Sequence, residues 1–292
     1  TRHRRMTAPA AALVLTWPVV LVVLFGALLH ASWNVLVKSS TDKALDTALI
    51  HLLGSLIALP LLLVVGLPGA ASWPYILASV VIHIGYYIAL TGAYKHGDMG
   101  LTYPLMRGVA PMLVAVSAVM TVGESLAPMA WVGVLGICVG VLVLGLSRHA
   151  LDNRRATLFA LANAVVIAVY TVIDALGARA SGNAEQYVVA LFVLDGWPFA
   201  LLVLARRGRA AWPYARARWP VAAGGALASL GSYGIALWAM TRAPVATVAA
   251  LRETSVLFAA LLGTWLLKEQ FTPRRALGTC VIVAGVMALR LA

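Results

Sequence analysis

Tyr86-Tyr87-Ile88-Ala89-Leu90 in the first half of the chain reads again as Tyr233-Gly234-Ile235-Ala236-Leu237 in the second. After a loop two residues longer in the first copy, one register holds for a whole helical pair. Thr102, Arg107, Ala115, Glu124, Pro128, Gly133, Ile137 and Gly140 match Thr247, Arg252, Ala260, Glu269, Pro273, Gly278, Ile282 and Gly285. The repeat divides the chain into two units, 1–150 and 151–292, of five apolar stretches each. A unit with an odd number of membrane crossings places its second copy upside down. The expected fold is therefore an all-α polytopic membrane protein, with ten transmembrane helices as two inverted five-helix repeats around a central cavity.

The composition agrees. The 292 residues are 62% hydrophobic and only 11% charged, too apolar for a soluble domain of this length. The expected spans are Trp17–Val37, Asp46–Gly66, Trp73–Tyr94, Leu101–Val122, Pro128–Leu146, Thr157–Ala178, Gln186–Ala205, Trp219–Met240, Val245–Leu267 and Pro273–Leu291. Each is near the ~20 residues that cross hydrocarbon as a helix. They nearly exhaust the chain and leave no room for a soluble catalytic domain. Inverted copies enclosing a site near the midplane are common among secondary transporters.

The net charge of +12 does not imply nucleic acid, since no basic stripe runs along a soluble fold. It reads as retention of Lys and Arg in cytoplasmic loops. Fourteen basic residues fall in the loops joining spans 1–2, 3–4, 5–6, 7–8 and 9–10, and six on the opposite side, which favours outside termini. Arg2, Arg4 and Arg5 argue the other way; residues 1–16 read as a basic flank on a retained first helix. Cys138 and Cys280 lie within apolar spans and read as small packing residues. Neither a disulfide framework nor a metal or cofactor site is expected. No GxxxxGK[ST] loop is present, so direct use of ATP is not expected.

An Arg at the centre of a membrane helix costs about 2.5–3.5 kcal/mol and normally faces the bundle interior or a cavity. Arg107 and Arg252 stand at matching places, each roughly 10 Å into its span at 1.5 Å per residue. Entering from opposite faces, they bracket the midplane and are candidate anchors for an anion. Span three carries His83, Tyr86, Tyr87 and Tyr94 on one stripe. Tyr103 joins Arg107 in span four. Span one gives His30, Asn34 and Lys38 at spacing four, beside Trp33. Span six gives Asn163, Tyr170 and Asp174; span eight gives Ser229, Ser232 and Tyr233. A Trp/Tyr interface belt suits Trp17, Trp73, Tyr75, Trp212 and Trp219, but His83, Tyr86 and Tyr87 lie too deep for one. His30, Trp33, Asn34, His83, Tyr86, Tyr87, Tyr103, Arg107, Tyr170, Tyr233 and Arg252 are therefore the candidate substrate-binding residues, and Glu253 and Asp174 the candidate coupling carboxylates. Pro104, Pro111 and Pro198 each remove a backbone hydrogen bond and are expected as breaks or hinges. Glu124 and Glu269, each four residues before a Pro, are expected beside the N-terminus of the helix that follows. Gly133, Gly136, Gly140, Gly278 and Gly285 permit spans five and ten to pack closely within a monomer.

His30-Ala31-Ser32-Trp33-Asn34, Lys38, His83-Ile84-Gly85-Tyr86-Tyr87 through Gly97-Asp98 to Tyr103-Pro104-Leu105-Met106-Arg107-Gly108, and the Glu124 and Glu269 helix ends resemble the ten-helix (EamA-type) metabolite-exporter branch of the drug/metabolite transporter superfamily, which includes aromatic amino-acid exporters. The resemblance implies export of small metabolites, often amino acids, from a central cavity. The second half departs from it, with Leu230 and Ala249 at the places of His83 and Pro104. The expectation is a non-enzymatic exporter of the bacterial inner membrane. Its partners are the bilayer and a small solute, most specifically an amino acid with an aromatic or apolar side chain, and it is driven by alternating access and a proton gradient. A carboxylate would meet Arg107 or Arg252, and aromatic walls would face the side chain or the ammonium. The alternatives are a proton-coupled efflux pump for lipophilic cations, using Glu253 or Asp195, and a lipid-headgroup flippase or integral-membrane enzyme.

Overall fold

The computed structural model describes residues 15–96, 99–145, 153–267 and 272–292. The calls on Arg2, Arg4, Arg5, Gly97, Asp98 and Glu269, and on the side chains of Lys38 and Tyr94, lie outside the described residues. The described chain is helical: α1 Trp17–Lys38, α2 Lys43–Val65, α3 Trp73–His96, α4 Met99–Ser117, α5 Pro128–Gly145, α6 Arg154–Ala180, α7 Ala184–Arg207, α8 Ala211–Met240, α9 Val245–Arg252, α10 Thr254–Leu267 and α11 Pro273–Leu291. Among the described residues, eight stretches are long and apolar enough to cross a membrane. One of them, Ala184–Met240, is 57 residues long and holds both α7 and α8, joined by a single short turn. The last helix, α11, is charged at both ends through Arg274, Arg275 and Arg290 and is not among the eight.

Helix starts follow from local chemistry. Asp42 accepts from the Leu45 amide at 3.1 Å, Asn153 from Ala156 at 3.2 Å and Thr272 from Arg275 at 3.3 Å. Each satisfies an amide that the first turn leaves without a partner. Pro128 and Pro273 open α5 and α11, where no amide is lost.

The helices are turned for lipid. On α3, Leu77, Val81, Ile84 and Ile88 form an exposed stripe, while His83, Tyr86, Tyr87 and Leu90 face inward. Leu63 and Val64 on α2 are 86% and 83% exposed. Such apolar faces suit hydrocarbon rather than water. Trp17 and Trp212 are exposed near helix ends, where amphipathic rings sit at headgroup depth; α8 begins eight residues before Trp219, which is exposed within it. Alanines make the interior: Ala156, Ala160, Ala164 and Ala175 of α6 are fully buried and let neighbours approach.

The prolines do not break their helices. α4 runs through Pro104 and Pro111, and α7 through Pro198. The Pro104 ring lies hard against Gly145 of α5. The break falls instead at Glu253, inside the expected span nine. Its amide donates to Ala250 and its carbonyl accepts from Val256, both three residues away, so the helix tightens and restarts as α10. The Thr254 hydroxyl satisfies the Leu251 carbonyl at 2.7 Å.

Glu124 also differs from expectation. Its carboxylate caps α9, not α5, accepting from the Val245 and Ala246 amides at 2.8 and 3.4 Å. Arg179 at the end of α6 pairs with it at 2.9 Å and donates to the Met240 carbonyl at 2.8 Å. A carboxylate is attracted to whichever helix N-terminus the fold brings near. Cys138 is buried, but Cys280 is exposed on α11 and so is no core packing residue.

α5 and α11 pack along their length. A Cβ on Gly140 would stand 2.8 Å from the Ile282 nitrogen and 3.0 Å from the Gly278 oxygen. Only glycine fits between these backbones. Gly140→Leu is expected to push the pair apart and cost about 1–3 kcal/mol or more, read as a lower unfolding temperature of the purified protein against an exposed control, Val139→Leu.

Candidate functional site

Eight helices converge on one cavity of about 130 Å³. α1 contributes His30, Trp33 and Asn34; α3 contributes His83, Tyr86, Tyr87 and Leu90; α4 contributes Tyr103, Met106 and Arg107. From the second half come Asn163, Ile167 and Tyr170 of α6, Leu191, Phe192 and Asp195 of α7, Ser229, Ser232 and Tyr233 of α8, and Arg252 at the end of α9; His51 of α2 also lines it. The volume exceeds by roughly tenfold the ~10–15 Å³ that one water needs. All eleven candidate substrate-binding residues line this space. Glu253 and Asp174 do not; their carboxylates are held by other protein groups.

The walls are aromatic and mutually braced. His83 stacks on Tyr170 with centroids 4.4 Å apart, and Tyr87 stacks on Phe199 at 4.7 Å. Tyr86 meets Tyr87 and Tyr170 edge to face at 5.4 and 6.1 Å. Ring contacts of this kind add about 0.5–1.5 kcal/mol beyond area burial and fix the rings' planes. Asp174 is fully buried and accepts from Tyr187 at 2.8 Å and from Tyr233, which orients the Tyr233 ring.

The two arginines at matching motif positions differ in partner. Arg107 pairs with Glu253 at 2.8 Å through Nε and donates to Ser255 at 3.2 Å through Nη2; both ions are buried. The break at Glu253 places that carboxylate on α4's side. Arg252 has no carboxylate partner among the described residues. Its guanidinium carbon lies 5.2 Å from the Tyr233 ring centroid. Trp33 Nε1, Asn163 Oδ1 and Asp195 Oδ1, buried polar atoms of the lining, have no hydrogen-bond partner among the described residues. Asn34, by contrast, already donates to the His30 carbonyl at 2.7 Å.

Sequence reasoning did not select His51, Met106, Leu191 or Phe192 for the site. His51 was the detectable one, a lone imidazole in an apolar run; the apolar three carry no signal that separates them from core. The sequence offers Asp195 only as the exchange site of the cation-pump alternative; it lies beside His83, its Oδ1 3.7 Å from Nδ1.

Residues 154–291 match the EamA-like transporter family. No curated protein matches the chain in sequence. A crystal structure of another protein aligns over 94% of this chain and 98% of its own length, with a TM-score of 0.75 and 20% identity. At that identity the likeness shows the fold alone, an all-helical bundle.

Loss of one partner of a buried ion pair leaves an uncompensated charge and costs about 3–5 kcal/mol, while replacing both with apolar groups is often near neutral. Glu253→Gln is therefore expected to lower the unfolding temperature markedly, and the double replacement Arg107→Met with Glu253→Met to recover most of it. A double variant no more stable than Glu253→Gln alone would count against the pairing.

Proposed function

We propose that the chain is a secondary transporter that exports small metabolites, above all amino acids with aromatic or apolar side chains, across a bacterial inner membrane by alternating access. The observation that carries this reading is the unequal pairing of the two motif arginines. Arg107 is neutralised by Glu253, whereas Arg252 faces the cavity with a ring face as its neighbour. A cation in low dielectric attracts an anion strongly, and a guanidinium takes a carboxylate as a bidentate fork. Trp33, whose indole N–H has no protein acceptor, adds a second donor to the same lining. Tyr86, Tyr87, Tyr103, Tyr170 and Tyr233 supply ring faces for an apolar or aromatic side chain.

Helix contacts support ten spans in two inverted repeats, with α9 and α10 together as one span. Exchanging the first five spans with the last five turns the α3–α6 contact into α8–α1 and the α2–α8 contact into α7–α3. The α4–α6 contact becomes the contact of α1 with α9 and α10, and α2–α7 and α5–α11 map onto themselves. Such a pattern is what two copies related by a two-fold axis produce.

Alternating access requires ends that open in turn. At one end Glu124 and Arg179 bind α6, α8 and α9 to the segment after α4. At the other, Asp42 pairs with Arg207 at 2.9 Å and Asp46 with Arg218 at 2.5 Å, tying α2 to α7 and α8. Both sets join the first half of the chain to the second, and rocking of one half against the other would exchange them. Proton coupling through Glu253 or Asp174 gains no support, since protein donors already hold both carboxylates. The rival cation-pump reading is left with Asp195.

In liposomes, the reconstituted protein is expected to move labelled phenylalanine. Arg252→Met is expected to reduce that flux at least about tenfold, the loss of a charged hydrogen bond, while Arg252→Lys retains part of it. Flux unchanged in Arg252→Met, or transport of a quaternary dye and of no amino acid, would overturn the reading.

A further inference from the structure

The proposed function places a carboxylate at Arg252 and leaves the ligand's ammonium group without a partner. Asp195 lies on α7 and has no arginine ion pair among the described residues. Its Oδ1 is buried, lines the cavity, and accepts no hydrogen bond from the protein. The nearest basic group is His83, 3.7 Å away through Nδ1. That nitrogen is already committed, lying 2.9 Å from the Ser79 carbonyl oxygen, which only an N–H can satisfy. The contact to Asp195 is too long to be a hydrogen bond. A carboxylate oxygen in this position is costly unless a donor meets it.

The surroundings select the donor. His83 is stacked against Tyr170, and Tyr86 stands edge-on to both. These rings present π faces, which favour a cation over a second anion. Asn163 Oδ1, the other unpartnered acceptor of the lining, adds a further lone pair. A protonated primary amine offers three N–H donors and one positive charge, matching an unpartnered carboxylate oxygen.

We propose that Asp195 is a second, cation-accepting subsite of the cavity, which takes the ammonium group of the ligand whose carboxylate meets Arg252. The cavity then recognises both charges of a zwitterion, and the aromatic rings of the lining take its side chain. This rests on the proposed function, in that one solute occupies both subsites.

The test uses the full-length purified protein and three probes of one shape: L-phenylalanine, 3-phenylpropionate, which lacks the amine, and 2-phenylethylamine, which lacks the carboxylate. Each is titrated against thermal unfolding, because a ligand that binds the folded form raises its stability by mass action. Wild type is expected to bind phenylalanine most tightly. Asp195→Asn is expected to weaken phenylalanine and phenylethylamine by about tenfold or more and to leave phenylpropionate unchanged, which also shows that the variant is folded. Equal amine binding by wild type and Asp195→Asn would overturn the inference. Wild type that binds phenylpropionate and neither amine would overturn it too, and leave the Arg252 reading standing. Amine binding that is lost in Asp195→Asn, with no carboxylate bound by wild type, would uphold Asp195 and overturn the Arg252 reading. If Asp195→Asn does not fold, Asp195→Glu decides: amine binding retained supports the subsite, and amine binding lost contradicts it.

Discussion

A charge inside hydrocarbon must be met by another charge or lie at a polar cavity. That constraint organises the centre of this molecule. Glu253 stands at the junction of α9 and α10, facing Arg107 of α4. The helix breaks there, with three-residue backbone bonds on both sides of Glu253, and the carboxylate meets Arg107 at 2.8 Å. The break also ends α9 at Arg252, so that the guanidinium sits on the last turn of a short helix, against Tyr233 and beside the cavity. One local distortion thus neutralises one arginine and leaves the other to face the solute space.

The arrangement makes an asymmetric site from a repeated sequence. The position of Glu253 corresponds in the first copy to Gly108, and a Cβ at Gly108 would stand 2.6 Å from Leu142 of α5. The first copy therefore has room for no carboxylate beside its arginine. The second copy supplies one, and it crosses to the first copy's cation. His83, whose counterpart is Leu230, places an imidazole beside Asp195 on one wall only. A zwitterion has two unlike ends, and a site with unlike walls suits it better than a symmetric one.

Much of this was legible in the sequence because membrane helices obey simple rules. Apolar length marks the spans, and stripes at three and four residues bring His83, Tyr86 and Tyr87, or His30, Trp33 and Asn34, to one face. Those stripes reach the same cavity because polar groups on lipid-facing helices have only the interior to turn to. Partners distant in the chain were not legible. Glu124 was expected at the helix that follows it, yet it caps α9, more than a hundred residues on. Nor does a helical pattern say whether a proline bends its helix: Pro104, Pro111 and Pro198 sit inside continuous helices, while the break at Glu253 involves no proline at all. The partner that pulls a helix out of register belongs to another span. Apolar members of the lining, such as Phe192 and Leu191, look like any core residue until the fold brings them together.

The most direct test compares ligand affinity in two variants, each measured by titrating L-phenylalanine against the purified protein in detergent. One replaces the paired ions together, Arg107→Met with Glu253→Met; the other is Arg252→Met. The account predicts that the double variant keeps near-native affinity while Arg252→Met loses it. Retained affinity in Arg252→Met, with loss in the double variant, would place the anion at Arg107 and contradict the account.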